Sequence, residues 1–88
     1  MASSDFGTGQ VSVAATATQI VAQNRGRHAV VITNLGTVAI YLGNSSAVTT
    51  ATGQLLPGVV GASISIPTAG PVWGISSGSS QSVSFLDV

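Results

Sequence analysis

Ser76 is the residue with the most obvious chemical potential. It stands in Gly74-Ile-Ser-Ser-Gly78, a match to G-x-S-x-G, the turn that presents a nucleophilic serine in α/β-hydrolases. That turn needs a strand before the serine, a helix after it and a large sheet beneath. Here Ser76 leads into Ser77-Gly-Ser-Ser-Gln-Ser82 and a final β-type run. The pattern therefore reads as a serine- and glycine-rich turn. His28 is the only histidine, and Asp5 and Asp87 are the only acidic residues. A Ser-His-Asp set can be written from them, but thirteen serines offer such sets by chance, and a triad is defined by geometry. One imidazole and two distant carboxylates also lack metal-ligand spacing. Only His28 from three copies meeting on a symmetry axis would gather ligands. We expect no catalytic residue, no metal and no cofactor.

The residues suited to binding are few. Arg25-Gly-Arg-His28 is the one polar cluster with character. Arginine forms bidentate pairs with carboxylates, and in a homo-oligomer the acids on offer are Asp5 and Asp87. Phe6 lies in an N-terminal stretch without strand pattern, where an aromatic suits an anchor into a neighbouring subunit. Tyr41 joins these as an expected contact. The expected subunit or partner interface is thus Asp5, Phe6, Arg25, Arg27, His28, Tyr41 and Asp87, and Arg27→Ala should weaken subunit contacts more than the fold. Trp73 and Phe85 are expected in the core. A competing glycan site would use Tyr41 with loop residues around Asn44 and Ser76 to Ser80. Asn44-Ser-Ser46 is also a glycosylation sequon, without meaning unless the chain is secreted.

The elements that must position these residues are set by composition. Charged residues make up 5% of the 88 residues and hydrophobic ones 44%, against ~25% charged in an ordinary soluble domain. Lysine and glutamate are absent. The solvated faces are therefore neutral, and a small fold with neutral faces has little to keep its copies apart. Two arginines cannot neutralise the phosphates of a nucleic-acid site, and no apolar run is long enough for a membrane helix. The first ten residues lack the basic and apolar parts of a signal peptide. There is no cysteine, so oligomerisation is the staple left to a chain this small. Twelve valines, six isoleucines and nine threonines argue against disorder.

Period-two alternation dominates. Strands are expected over Val11 to Ala14, Thr18 to Ala22, Arg27 to Asn34, Val38 to Leu42, Ser63 to Ile66, Pro71 to Ile75 and Gln81 to Leu86, with a short edge strand at Val48 to Thr52. Asn34-Leu-Gly-Thr37, Pro57-Gly58 and Ser76 to Ser80 are turns. In the run from Arg27, one face carries His28, Val30, Ile32 and Asn34, the other Arg27, Ala29, Val31 and Thr33. The fold class expected is all-β, a small antiparallel β-sandwich or jelly-roll-like barrel of about seven or eight strands. Residues 1–9 would form an N-terminal arm and residues 10–88 one β-sandwich domain.

Val11-Ser-Val13, Thr18-Gln-Ile-Val-Ala-Gln-Asn24, Arg27 to Gly36 with Asn34, and Ile40-Tyr-Leu-Gly43 resemble small virion proteins of tailed bacteriophages, as do Gly53-Gln-Leu-Leu-Pro57 and Ser63-Ile-Ser-Ile-Pro67. The resemblance spans roughly residues 10–86. It implies a β-sandwich, often trimeric and non-enzymatic, that decorates and stabilises a capsid or serves as a tail or fibre domain. Its partners would be its own copies and the major capsid or another virion protein. It would be made in the bacterial cytoplasm and reside in the virion. The alternative is a carbohydrate- or receptor-binding module of a tail fibre or baseplate.

Overall fold

The computed structural model of the chain describes residues 7–88. Among them eight strands run β1 Gly7–Val13, β2 Thr18–Val21, β3 Val30–Asn34, β4 Ile40–Gly43, β5 Gln54–Leu56, β6 Ser63–Ile66, β7 Val72–Ser76 and β8 Gln81–Asp87. β1 pairs with β8, β2 with β7, β3 with β6 and β4 with β5, all antiparallel. These are the four rungs of one long nested hairpin. Rolling it up adds two further pairings, β3 with β8 and β4 with β7. Two four-stranded sheets result, a first of order β1-β8-β3-β6 and a second of order β2-β7-β4-β5. This is the jelly-roll wind of eight strands in two sheets, and the expected fold class holds.

Alternation explains the packing. Val30, Ile32 and Asn34 of β3 point inward, as do Ile40 and Leu42 of β4, Val72 of β7 and Val83 of β8. They meet Val13, Ile20 and Leu56 in one core, with Ile64, Ile66 and Phe85 packed on its flank. The outward residues of the first sheet are mostly hydroxyls and amides: Thr8, Gln10 and Ser12 on β1, Ser63 and Ser65 on β6.

Connections gather at two ends. One end holds Gly7, Asp87 and the 22–29, 44–53 and 67–71 loops; we call it the terminal end. The other, the turn end, holds the 14–17, 35–39, 57–62 and 77–80 loops.

Asn34 organises the turn end. It is fully buried, and its Nδ2 donates to the carbonyls of Val38 and Pro57, both at 3.0 Å, while its Oδ1 accepts from the Gly36 amide at 2.9 Å. One side chain thus ties the β3–β4 turn to the loop after β5. Gly58 lies at the same junction. A Cβ there would fall 2.6 Å from the Thr37 oxygen, 2.8 Å from the Ala39 nitrogen and 2.9 Å from the Val38 carbon. All three are backbone atoms, which cannot swing aside. Gly58→Ala is therefore expected to cost about 1–3 kcal/mol in chemical denaturation; an unchanged midpoint would show that the loop gives way freely.

Two local expectations are corrected. Val48 to Thr52 is not a strand. Thr49 closes a turn there, its carbonyl accepting from the Thr52 and Gly53 amides and its hydroxyl lying 3.0 Å from that of Thr52, so side-chain bonds outcompete sheet pairing. Val48 is buried instead as a plug, close against Gly43 and Gly53. The edge strand beside β4 is β5, a segment that reads in the sequence only as the approach to a Pro-Gly turn. In addition, β1 starts at Gly7, so Gly7, Thr8 and Gly9, expected in an arm, are paired strand.

Candidate functional site

The residues of the formal triad do not meet. Ser76 closes β7 at the turn end, where its N–H donates to the Ala14 carbonyl, its hydroxyl donates to the Ser79 carbonyl at 2.6 Å and accepts from the Gly78 amide at 3.2 Å. The side chain is 2% exposed and is consumed in folding its own hairpin. His28 and Asp87 lie at the terminal end, the length of β8 away. Seven strand residues span ~20 Å. Asp87 spends its Oδ1 on the Gly7 amide at 3.0 Å, which pins the start of β1. His28 is exposed, and its backbone N–H donates to the Val88 carbonyl at 2.6 Å. Asp5 and Phe6 lie outside the described residues.

Arg27 is the largest departure from expectation. The alternation places it on an outer strand face, yet β3 begins only at Val30. Residues 24–27 form a turn in which the Asn24 Oδ1 accepts from the Gly26 amide and the Asn24 carbonyl from that of Arg27. The turn leaves Arg25 exposed and swings Arg27 inward to 3% exposure. Its Nε donates to the Thr68 carbonyl at 3.0 Å, one terminal nitrogen to that of Ala22 at 3.1 Å and the other to that of Gly70. Each guanidinium nitrogen has a carbonyl partner, so the charge is held by peptide dipoles and no carboxylate is needed. Arg27 is a fastener between the β2–β3 and β6–β7 connections, inside the subunit rather than on its surface.

Tyr41 is half-buried on the outer face of the second sheet, and Trp73 lies there too rather than in the core. In β7 the inward phase is Val72, Gly74 and Ser76, and the outward phase is Trp73 and Ile75. Gly74 faces inward because the site has no room for more: a Cβ would lie 2.9 Å from the Ile20 Cδ1. The bulkier apolar phase is thus turned out. Tyr41 pairs across the sheet with Ile75 on one side and with Leu55, 46% exposed, on the other. The glycan site drawn from the sequence is taken apart by this geometry. Asn44 follows β4 at the terminal end, Ser77 to Ser80 follow β7 at the turn end, and Tyr41 lies between them on a sheet face.

What the fold does bring together is a set of open edges. β1 and β6 flank the first sheet, β2 and β5 the second. None of the four sequences, GTGQVSV, SISI, TQIV and QLL, contains a charged residue or a proline, the usual guards of a strand border. Only β2 carries an irregularity, a register shift between Gln19 and Val21. The two long sides of the sandwich also differ. Val13 and Ile20 seal the side of β1 and β2. On the side of β5 and β6, Ile64 and Ile66 are only partly buried, and a cleft of about 360 Å³ opens between the sheets, its apolar wall made by Leu42, Ile64, Ile66 and Val72. Composition could reveal the neutral borders; the cleft needed the register.

No family model and no curated protein matches this chain. A solved structure does: a protein of Bacillus endospore appendages, described as a novel family of disulfide-linked pili, with a TM-score of 0.56 and 19% identity over 94% of this chain and 80% of that one. At that identity the likeness concerns the fold. The present chain has no cysteine, so disulfide linkage does not extend to it.

Proposed function

We propose that the chain is a non-enzymatic structural subunit that acts by assembling with copies of itself and with other proteins of a particle. The observation that carries this reading is that every sheet border of the described residues is free of charge and proline. Such borders are templates for further strands, and they are compatible with a dissolved protein only where neighbours occupy them. The outward Trp73, Ile75 and Tyr41 point the same way, since aromatic residues are enriched where protein surfaces meet.

In its specific form the subunit is a homo-oligomeric, trimeric decoration protein on the shell of a tailed bacteriophage, resident in the virion, with the major capsid protein as its partner. The resemblance of residues 10–86 and a wind shared with viral capsid domains support this. Arg25, His28 and Tyr41 remain available to such contacts; Arg27 does not. A second reading, the subunit of a filamentous cell-surface appendage, is favoured by the likeness to the endospore appendage protein. Light scattering across a concentration series, followed by co-sedimentation with undecorated particles and by electron microscopy, tests both. Particle binding with discrete trimers supports decoration, and long filaments support the appendage. A monodisperse monomer at every concentration that ignores particles removes the assembly reading altogether.

A further inference from the structure

The two borders of the first sheet are complementary in polarity. β1 runs from the terminal end to the turn end, and β6 runs back from the turn end to the terminal end. Two copies standing side by side in the same orientation therefore present β1 of one antiparallel to β6 of the next. With Gly7 opposite Ile66, inward Gly9 meets inward Ile64, and outward Gln10 meets outward Ser63. The pleats agree across the junction. The incoming strand also lies over the side of the sandwich where the cleft exposes Ile64 and Ile66.

The cleft reaches the terminal end, where Asn44, Pro67 and Thr68 line it. In this arrangement the neighbour's Gly7 arrives at that same end. A chain's own β1 cannot cover its own cleft, because β1 is three strands from β6 in the first sheet, ~14 Å at the usual spacing.

Resting on the assembly reading, we propose that the first sheet continues from copy to copy through β1 and β6, with Gly7 and Gly9 of one molecule laid over Ile66 and Ile64 beside the β5–β6 cleft of the next. The contact is heterologous, so it propagates until a ring closes or a filament forms. It is the pairing that covers the open flank of the core; β1 against β1 would leave it bare.

The chain has no cysteine, which makes a directional test direct. Two single variants, Gln10→Cys and Ser63→Cys, are mixed under mild oxidation. Both positions are exposed and point outward, and opposed residues on paired strands lie within disulfide reach. The expected result is a disulfide-linked heterodimer of the two variants at least tenfold over either homodimer. Homodimers dominating the mixture would overturn the proposal. So would assemblies visible by scattering that yield no heterodimer, which leaves the assembly reading standing. Absence of any assembly in the scattering control removes that reading as well.

Discussion

Arg27→Ala is expected to lose about 3–5 kcal/mol of folding stability, the range for stripping a buried charged group from its partners. For a domain of this size that lowers the melting temperature by roughly 15 °C or more. The cause is specific. Removing the guanidinium leaves the carbonyls of Ala22, Thr68 and Gly70 without their donor, and each buried group left unpaired costs about 1–3 kcal/mol. It also unties two connections that are 41 to 43 positions apart in sequence. Arg27→Lys should recover only part of the loss, to about 2 kcal/mol below the parent, because one ammonium cannot serve three divergent oxygens as a planar fork does. The measurement is denaturant unfolding of dilute, unassembled protein. Since the contact is internal, the loss should be the same in dilute and assembled samples. A deficit below about 1 kcal/mol, or one confined to assembled material, would return Arg27 to the surface role read from its sequence position.

Asn34→Leu is the second large effect. The substitution keeps the branched skeleton but withdraws two donated hydrogen bonds and one accepted bond. With no water to replace them at a fully buried site, the cost is about 3–4 kcal/mol. Asn34→Asp separates the roles of shape and polarity. Its Oδ1 can still accept from the Gly36 amide, but the second oxygen faces the carbonyls of Val38 and Pro57 and can donate to one of them only when protonated. Burial and those carbonyls favour the neutral acid, so the folded carboxyl titrates above its unfolded value of about 3.9. The unfolded chain then releases its proton first. The variant should lie closest to the parent below about pH 4 and fall progressively behind as pH rises through the folded value. Stability that tracks the parent at all pH values would show that the pocket admits water.

These two residues also show what is legible in the sequence. Asn34 is read on one face with Val30 and Ile32, and in the strand that face is the buried one. Arg27 is misplaced because the alternation, extended three residues too far, crosses a turn that Asn24 closes with its side chain. Local side-chain bonds of this kind carry no hydrophobic period. The same blindness makes Val48 to Thr52 look like a strand and hides β5, whose three residues are too few to alternate. Trp73 misleads for a different reason. Both phases of β7 are apolar, and size alone favours the wrong one; the choice is made by Ile20, Ile40 and Leu42, which crowd Gly74 from elsewhere in the chain. Composition announces unguarded borders because charge can be counted without knowing the fold. Which borders oppose one another, and which side of the sandwich a cleft opens on, depend on strand order.

The pairing of the first strand with the last has a bearing on biosynthesis. β1 is fixed by β8, and the Asp87 carboxylate reaches back 80 positions to the Gly7 amide. Contacts of such long range fold slowly, and no ribosome-bound intermediate lacking β8 can hold β1 in place. The β1 border proposed to join copies therefore comes into being only after translation has passed residue 87, which under that proposal keeps nascent chains on one messenger from joining before they are complete.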